Sequence, residues 1–200
     1  IYTRYGGMRA VIGTDFIQSL LIMGLLVLVA VLAFRQFPIP EVHAELARHH
    51  TDHLNLLLPA GLLIAWNSAL FSMGEVFHNN IWWSRVFASR RSVVMPSFLL
   101  GGLAWMSVPL VTGSIGLVAL ARNLELTQVN MVFPVMAADL LGAGGAALVF
   151  VVVFASLTST LDSLLASTAD LLAEDVFLHL LRPQASDAQL KLATRWIVVG

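Results

Sequence analysis

The chain has 200 residues, of which 58% are hydrophobic and only 12% charged, with a formal net charge of −1 and a mean hydropathy of +0.83. A soluble domain carries about 45–50% apolar and about 25% charged residues, so this chain has too few ionic groups to build a water-facing surface. There is no basic tract for nucleic acid, and the absence of cysteine excludes a disulfide framework, a thiol nucleophile and a thiolate metal site.

In chain order, four stretches reach the length of about 20 predominantly apolar residues that a bilayer requires. They lie at about 11–34, 56–77, 93–121 and 143–172, and a fifth apolar segment starts near Arg195. Each is predicted to be a helix, because isolated strands leave backbone groups unpaired in hydrocarbon. The predicted fold class is therefore all-α, a polytopic transmembrane bundle of about four spans plus the start of a fifth. The chain opens without methionine at Ile1 and stops inside an apolar run at Gly200, as a fragment of a longer protein would.

Between the first two spans, Pro38 and Pro40 open a polar connection that contains His43, His49, His50, Asp52 and His53. A solvated helix face accounts for these histidines, with a zinc site as the minor alternative. Between the third and fourth spans, residues 122–141 are too apolar for a free loop and suit a short helix against the bundle. Gly142, Gly144 and Gly145 then serve as a helix start; no Lys-Ser or Lys-Thr follows to make a phosphate cradle.

With the N-terminal end placed in the cytoplasm, Arg4, Arg9, Arg85, Arg90, Arg91, Arg182, Lys191 and Arg195 fall inside and Arg35, Arg48 and Arg122 outside. That bias predicts an inside-first, multi-pass protein of the cell membrane.

Polar groups at membrane depth are costly and mark function. On the fourth span Ser156, Ser159, Thr160, Ser163, Ser167 and Asp170 share one face at helical spacing, with Asp162 on its flank. Such hydroxyls also back-bond within a helix or let helices pack closely. A carboxylate beside them adds the hard oxygen ligands that suit sodium. Asp15 is a second intramembrane acid, with Gln18 one turn further in; a helix-start acid is the plainer reading. Asn67 and Ser68 in mid-span, and Glu75 and Asn79 near its inner end, are candidates for a solute path. Trp82 and Trp83 read as interfacial anchors. No serine–histidine–acid set or paired acid and base is placed for catalysis, so an enzyme is not expected.

Three blocks resemble the sodium:solute symporter family. Residues 2–18, YTRYGGMRAVIGTDFIQ, resemble the start of its fifth core helix. Residues 156–163, SLTSTLDS, followed by Glu174-Asp175, resemble its eighth. Trp83-Ser84-Arg85-Val86-Phe87-Ala88-Ser89 and residues 99–105, LLGGLAW, look most like the urea-transporter-like branch.

The resemblance implies a LeuT-type fold of two inverted five-helix repeats and alternating-access transport. A sodium ion as coupling ion would enter with a small polar solute such as urea, and no further cofactor is implied. By this likeness sodium is held by the Ser159 and Thr160 hydroxyls and the Ser156 carbonyl, with an unwound helix outside this chain completing the site. A second cation or exit site is implied at Asp15 with Asp162 and Ser163. Aspartate at 162 departs from the hydroxyl or small residue of the pattern, which leaves a stronger cation site, proton coupling or another stoichiometry open. Asn79-Asn80 stand where the urea branch has an Asp-Gln pair. The alternatives are the symporter-like membrane domain of a sensor histidine kinase, a proton-coupled variant, and a channel-like bundle in which the hydroxyl stripe only packs.

Overall fold

A computed structural model describes residues 2–124 and 128–198. Among these the chain is helical, with no strand. Its elements are α1 (Tyr2–Gln36), α2 (Ile39–His49), α3 (Pro59–His78), α4 (Asn80–Ala88), α5 (Arg91–Ala121), α6 (Val132–Leu141), α7 (Ala143–Leu171) and α8 (Asp187–Ile197). Short 3₁₀ turns at Thr51–Leu54 and Val129–Met131 precede α3 and α6, and α7 runs on as a wider π-helical stretch over Leu172–Leu181. Four helical stretches, Tyr5–Gln36, Pro59–His78, Arg91–Ala121 and Ala143–Leu181, are long and apolar enough to cross a membrane. The shortest has 20 residues, and at about 1.5 Å per residue it matches the hydrocarbon thickness.

Local sequence sets the helix ends. Pro38 and Pro40 fit the first turn of α2, where the missing N–H costs no hydrogen bond. Asn79 caps α4 by accepting from the Ile81 N–H at 3.0 Å. Ser186 and Gln189 form a reciprocal capping box on α8, so the helix that contains Arg195 begins earlier, at Asp187. Within α1, Gly7 sits at φ 54°, ψ −151°, a break from helical geometry that an L-residue side chain opposes.

The contacts divide the chain into two compact units. One comprises residues 21–77 and 97–153. Its core joins Leu25, Val29 and Ala33 of α1 to Val42 and Leu46 of α2, Ile115, Val118 and Ala119 of α5, Met136 and Ala137 of α6, and Val149 of α7. Gly145 permits close approach to α6, because a Cβ there would lie 2.2 Å from the Ala137 carbonyl oxygen. Arg122 pairs with Asp139 at 2.5 Å and lies over the Phe37 ring at 4.5 Å.

The other unit comprises residues 1–20, 78–96 and 154–200. The buried side chains of α7 here are small: Ala155, Ser163, Ala166, Ser167 and Ala169, followed by Ala173 in the π-helical stretch. Small residues let helix backbones approach closely in lipid, where packing replaces the hydrophobic drive. Phe16, Ile17 and Leu20 of α1 and Leu157, Leu161 and Leu164 of α7 are exposed. Acyl chains or further helices are the solvent that such faces require.

A candidate cation site on the seventh helix

All the groups of this site belong to the unit made by residues 1–20, 78–96 and 154–200. Asp15 projects from α1 and has both carboxylate oxygens engaged. Its Oδ2 accepts from Arg85 Nη2 of α4 at 2.7 Å, and its Oδ1 accepts a short hydrogen bond from the Ser159 hydroxyl of α7. Arg85 Nη2 donates its other hydrogen to Ser163 Oγ, also at 2.7 Å, while Nη1 reaches the Ile81 carbonyl at 3.3 Å. Side-chain exposure is 23% for Arg85 and 19% for Asp15, so the pair is mostly shielded from solvent. Charges at membrane depth pair with one another for this reason. One turn along α7, the Ser167 carbonyl accepts from Asn80 Nδ2 at 3.4 Å, and Asn80 also donates to Ser84 Oγ at 3.1 Å.

Of the three groups implied as sodium ligands, Ser159 turns toward Asp15, whereas Thr160 is exposed on this chain. The Thr160 hydroxyl donates to the Ser156 carbonyl at 3.1 Å. These two oxygens are thus already neighbours. The residues of the implied second site divide. Asp15 and Ser163 share Arg85, while Asp162 lines a separate cavity of about 400 Å³ with Thr14, Ile17, Gln18 and Thr158. Asn67, Ser68 and Glu75 lie on α3, which has no buried residue, and the Asn79 side chain is engaged as the cap of α4. His50 and His53 pack edge to face at 6.0 Å, His49 lies 3.9 Å from Glu45, and among the described residues no group of three or more metal-binding side chains forms.

Arg85 is the member that the sequence does not mark as a site residue: there it stands as a cytoplasmic charge and as part of the Trp83–Ser89 block. A carboxylate at membrane depth needs a countercharge, but the sequence does not say which arginine supplies it; the structure puts Arg85, two residues after Trp83 on α4, in that place. A second polar cavity, of about 570 Å³, is lined by Asn80, Ser84, Asp170, Glu174, Lys191 and Thr194 among others.

Four membrane-length helices and a shielded ion pair against a hydroxyl-bearing helix define a polytopic membrane protein with an internal polar site. The chain matches the sodium:solute symporter family over residues 1–199 and belongs to that family. It is 28% identical to the urea-proton symporter DUR3 of Oryza sativa subsp. japonica, over all of this chain and 32% of that protein. It is 25% identical to the probable urea active transporter 1 of Schizosaccharomyces pombe, over 95% of this chain and 33% of that protein. With the sodium/proline symporter 2 of Staphylococcus saprophyticus it shares 26% identity over 88% of this chain and 35% of that protein. The chain therefore spans about a third of the length of these curated relatives. No solved structure matches it.

Proposed function

We propose that this chain is the coupling-ion segment of a secondary active transporter that moves a small polar solute of the urea class together with sodium. The observation that carries the reading is the Asp15–Arg85–Ser159–Ser163 cluster in a chain of this family. Sodium is held by the Ser159 and Thr160 hydroxyls and the Ser156 carbonyl, hard oxygens suited to an alkali ion. Sodium favours the conformation that accepts solute, and by linkage solute tightens sodium by the same factor. The bundle then rocks to open toward the cytoplasm, the side on which the arginine bias puts the N-terminal end of this chain.

Asp15 receives the departing ion in this scheme. Because Arg85 already holds Asp15 Oδ2, the ion and the guanidinium compete for one carboxylate. Release is completed when Arg85 takes the oxygen back, which returns the site to the neutral pair described above. The polar cavity bordered by Asn80 and Ser84 supplies the way out. Asn67 and Ser68 of α3 are proposed for the solute path.

Proton coupling is the second reading. It is supported by the relative named a urea-proton symporter and by a carboxylate at position 162. The test is uptake of labelled urea into proteoliposomes that hold the full-length protein, under an inward sodium gradient, an inward proton gradient, or neither. Stimulation by sodium alone is the expected result. Stimulation by protons alone transfers the coupling to the second reading, and uptake indifferent to both gradients refutes coupled transport.

A further inference from the structure

The short helix α4 carries a second face that the Asp15 cluster does not use. It connects two membrane-length helices, α3 ending at His78 and α5 starting at Arg91, so it has to lie where both reach the membrane surface. Its inner side is polar and engaged. Arg85 holds Asp15 and Ser163, and Asn80 donates to the Ser167 carbonyl. Its outer side is aromatic: Trp83 is 41% exposed and Phe87, one turn further on, 82% exposed. Arg85 stands two residues from each, about 200° round the helix, so the two rings point away from the ion pair. A helix facing water has the reverse arrangement, with its apolar stripe turned inward.

Arg90 and Arg91 follow this aromatic face directly, and both are exposed. Among the described residues neither forms an ion pair. The sequence has no acidic residue between Glu75 and Glu125, so nothing on α4 or α5 neutralises them. Asp170 and Glu174 line the neighbouring cavity together with Lys191 and pair with neither arginine. An anionic phospholipid meets both halves of the surface at once. Guanidinium groups grip a phosphate with paired hydrogen bonds, while aromatic side chains settle at headgroup level beside the acyl chains.

We infer that Trp83, Phe87, Arg90 and Arg91 form a docking site for the headgroup of an anionic phospholipid. The bound lipid fastens α4 to the membrane surface by one face, while the opposite face presents Arg85 to Asp15. This lipid site is independent of the ion and the solute that the protein moves, so binding alone tests it. Detergent-purified full-length protein is titrated with phosphatidylglycerol or with phosphatidylcholine, and bound lipids are counted by native mass spectrometry. The variant is Arg90→Gln/Arg91→Gln. The control, Arg182→Gln/Arg195→Gln, removes the same charge from two exposed arginines of the same unit.

An arginine at an anionic lipid surface is worth about fivefold in affinity. The wild type should therefore prefer phosphatidylglycerol. Arg90→Gln/Arg91→Gln should lose one tightly bound equivalent of it, or weaken that equivalent by about tenfold or more, with phosphatidylcholine binding unchanged. The control should keep the equivalent. A wild type that binds the two lipids alike refutes the site, and so does phosphatidylglycerol binding that is unaltered in Arg90→Gln/Arg91→Gln. An equal loss in the control also refutes it, because net charge and not this face would then set the preference.

Discussion

Removing Arg85 tests the pairing on which the site is built. In Arg85→Met the Asp15 carboxylate keeps its Ser159 bond but loses its countercharge in a region from which solvent is mostly excluded. Breaking a fully buried pair costs about 3–5 kcal/mol. Here about a fifth of each side chain remains accessible, so water relieves part of the penalty and about 2–3 kcal/mol is the expected loss. Little comes from Ser163, whose hydroxyl can turn to a carbonyl of its own helix. Asp15→Asn strands the guanidinium and should cost a similar amount. The double variant Asp15→Asn/Arg85→Met strands neither charge, so its loss should be smaller than the sum of the singles, with a coupling energy of about 2 kcal/mol. The assay is a double-mutant cycle on the full-length protein, unfolded by SDS titration in mixed micelles. Additive losses, with coupling below about 0.5 kcal/mol, would refute the pairing.

The same cycle at Arg122 and Asp139 should give a coupling of about 1 kcal/mol or less, because 46% of the Asp139 side chain is exposed; a larger value would mean that the Arg85 pair is not special in its shielding. Gly7→Ala should lower stability by about 1–3 kcal/mol, since φ 54°, ψ −151° is a conformation that only glycine adopts without strain, and an unchanged unfolding midpoint would show that α1 is not broken there. Ser186→Ala removes one half of the capping box and should cost about 1 kcal/mol, read as faster amide exchange in the first turn of α8.

The helical class was legible because lipid imposes one rule on every span, that backbone groups bond within their own segment. Long apolar runs with few charges announce that rule without any knowledge of tertiary contacts. The hydroxyl face of α7 was legible for a similar reason, since helical periodicity alone puts Ser159, Ser163 and Ser167 in one row. What the row faces was not. Arg85 and Asp15 are 70 residues apart in sequence, and nothing local to either distinguishes an arginine that pairs inside the bundle from one that stays in the headgroups. Asp162 shows the same limit. Periodicity puts it on the flank of the stripe, but only the packed helices reveal that it borders Thr14 and Gln18 while Asp15 is held by Arg85 and Ser159.

The proposal that α7 binds the coupling ion is tested most directly by the sodium dependence of urea uptake in the full-length protein carrying Ser159→Ala or Thr160→Ala. Both variants should reach the membrane in normal amounts and require a sodium concentration about tenfold higher or more for half-maximal uptake, the consequence of losing one hard ligand. Sodium activation curves that overlay the wild type in both variants would contradict the account.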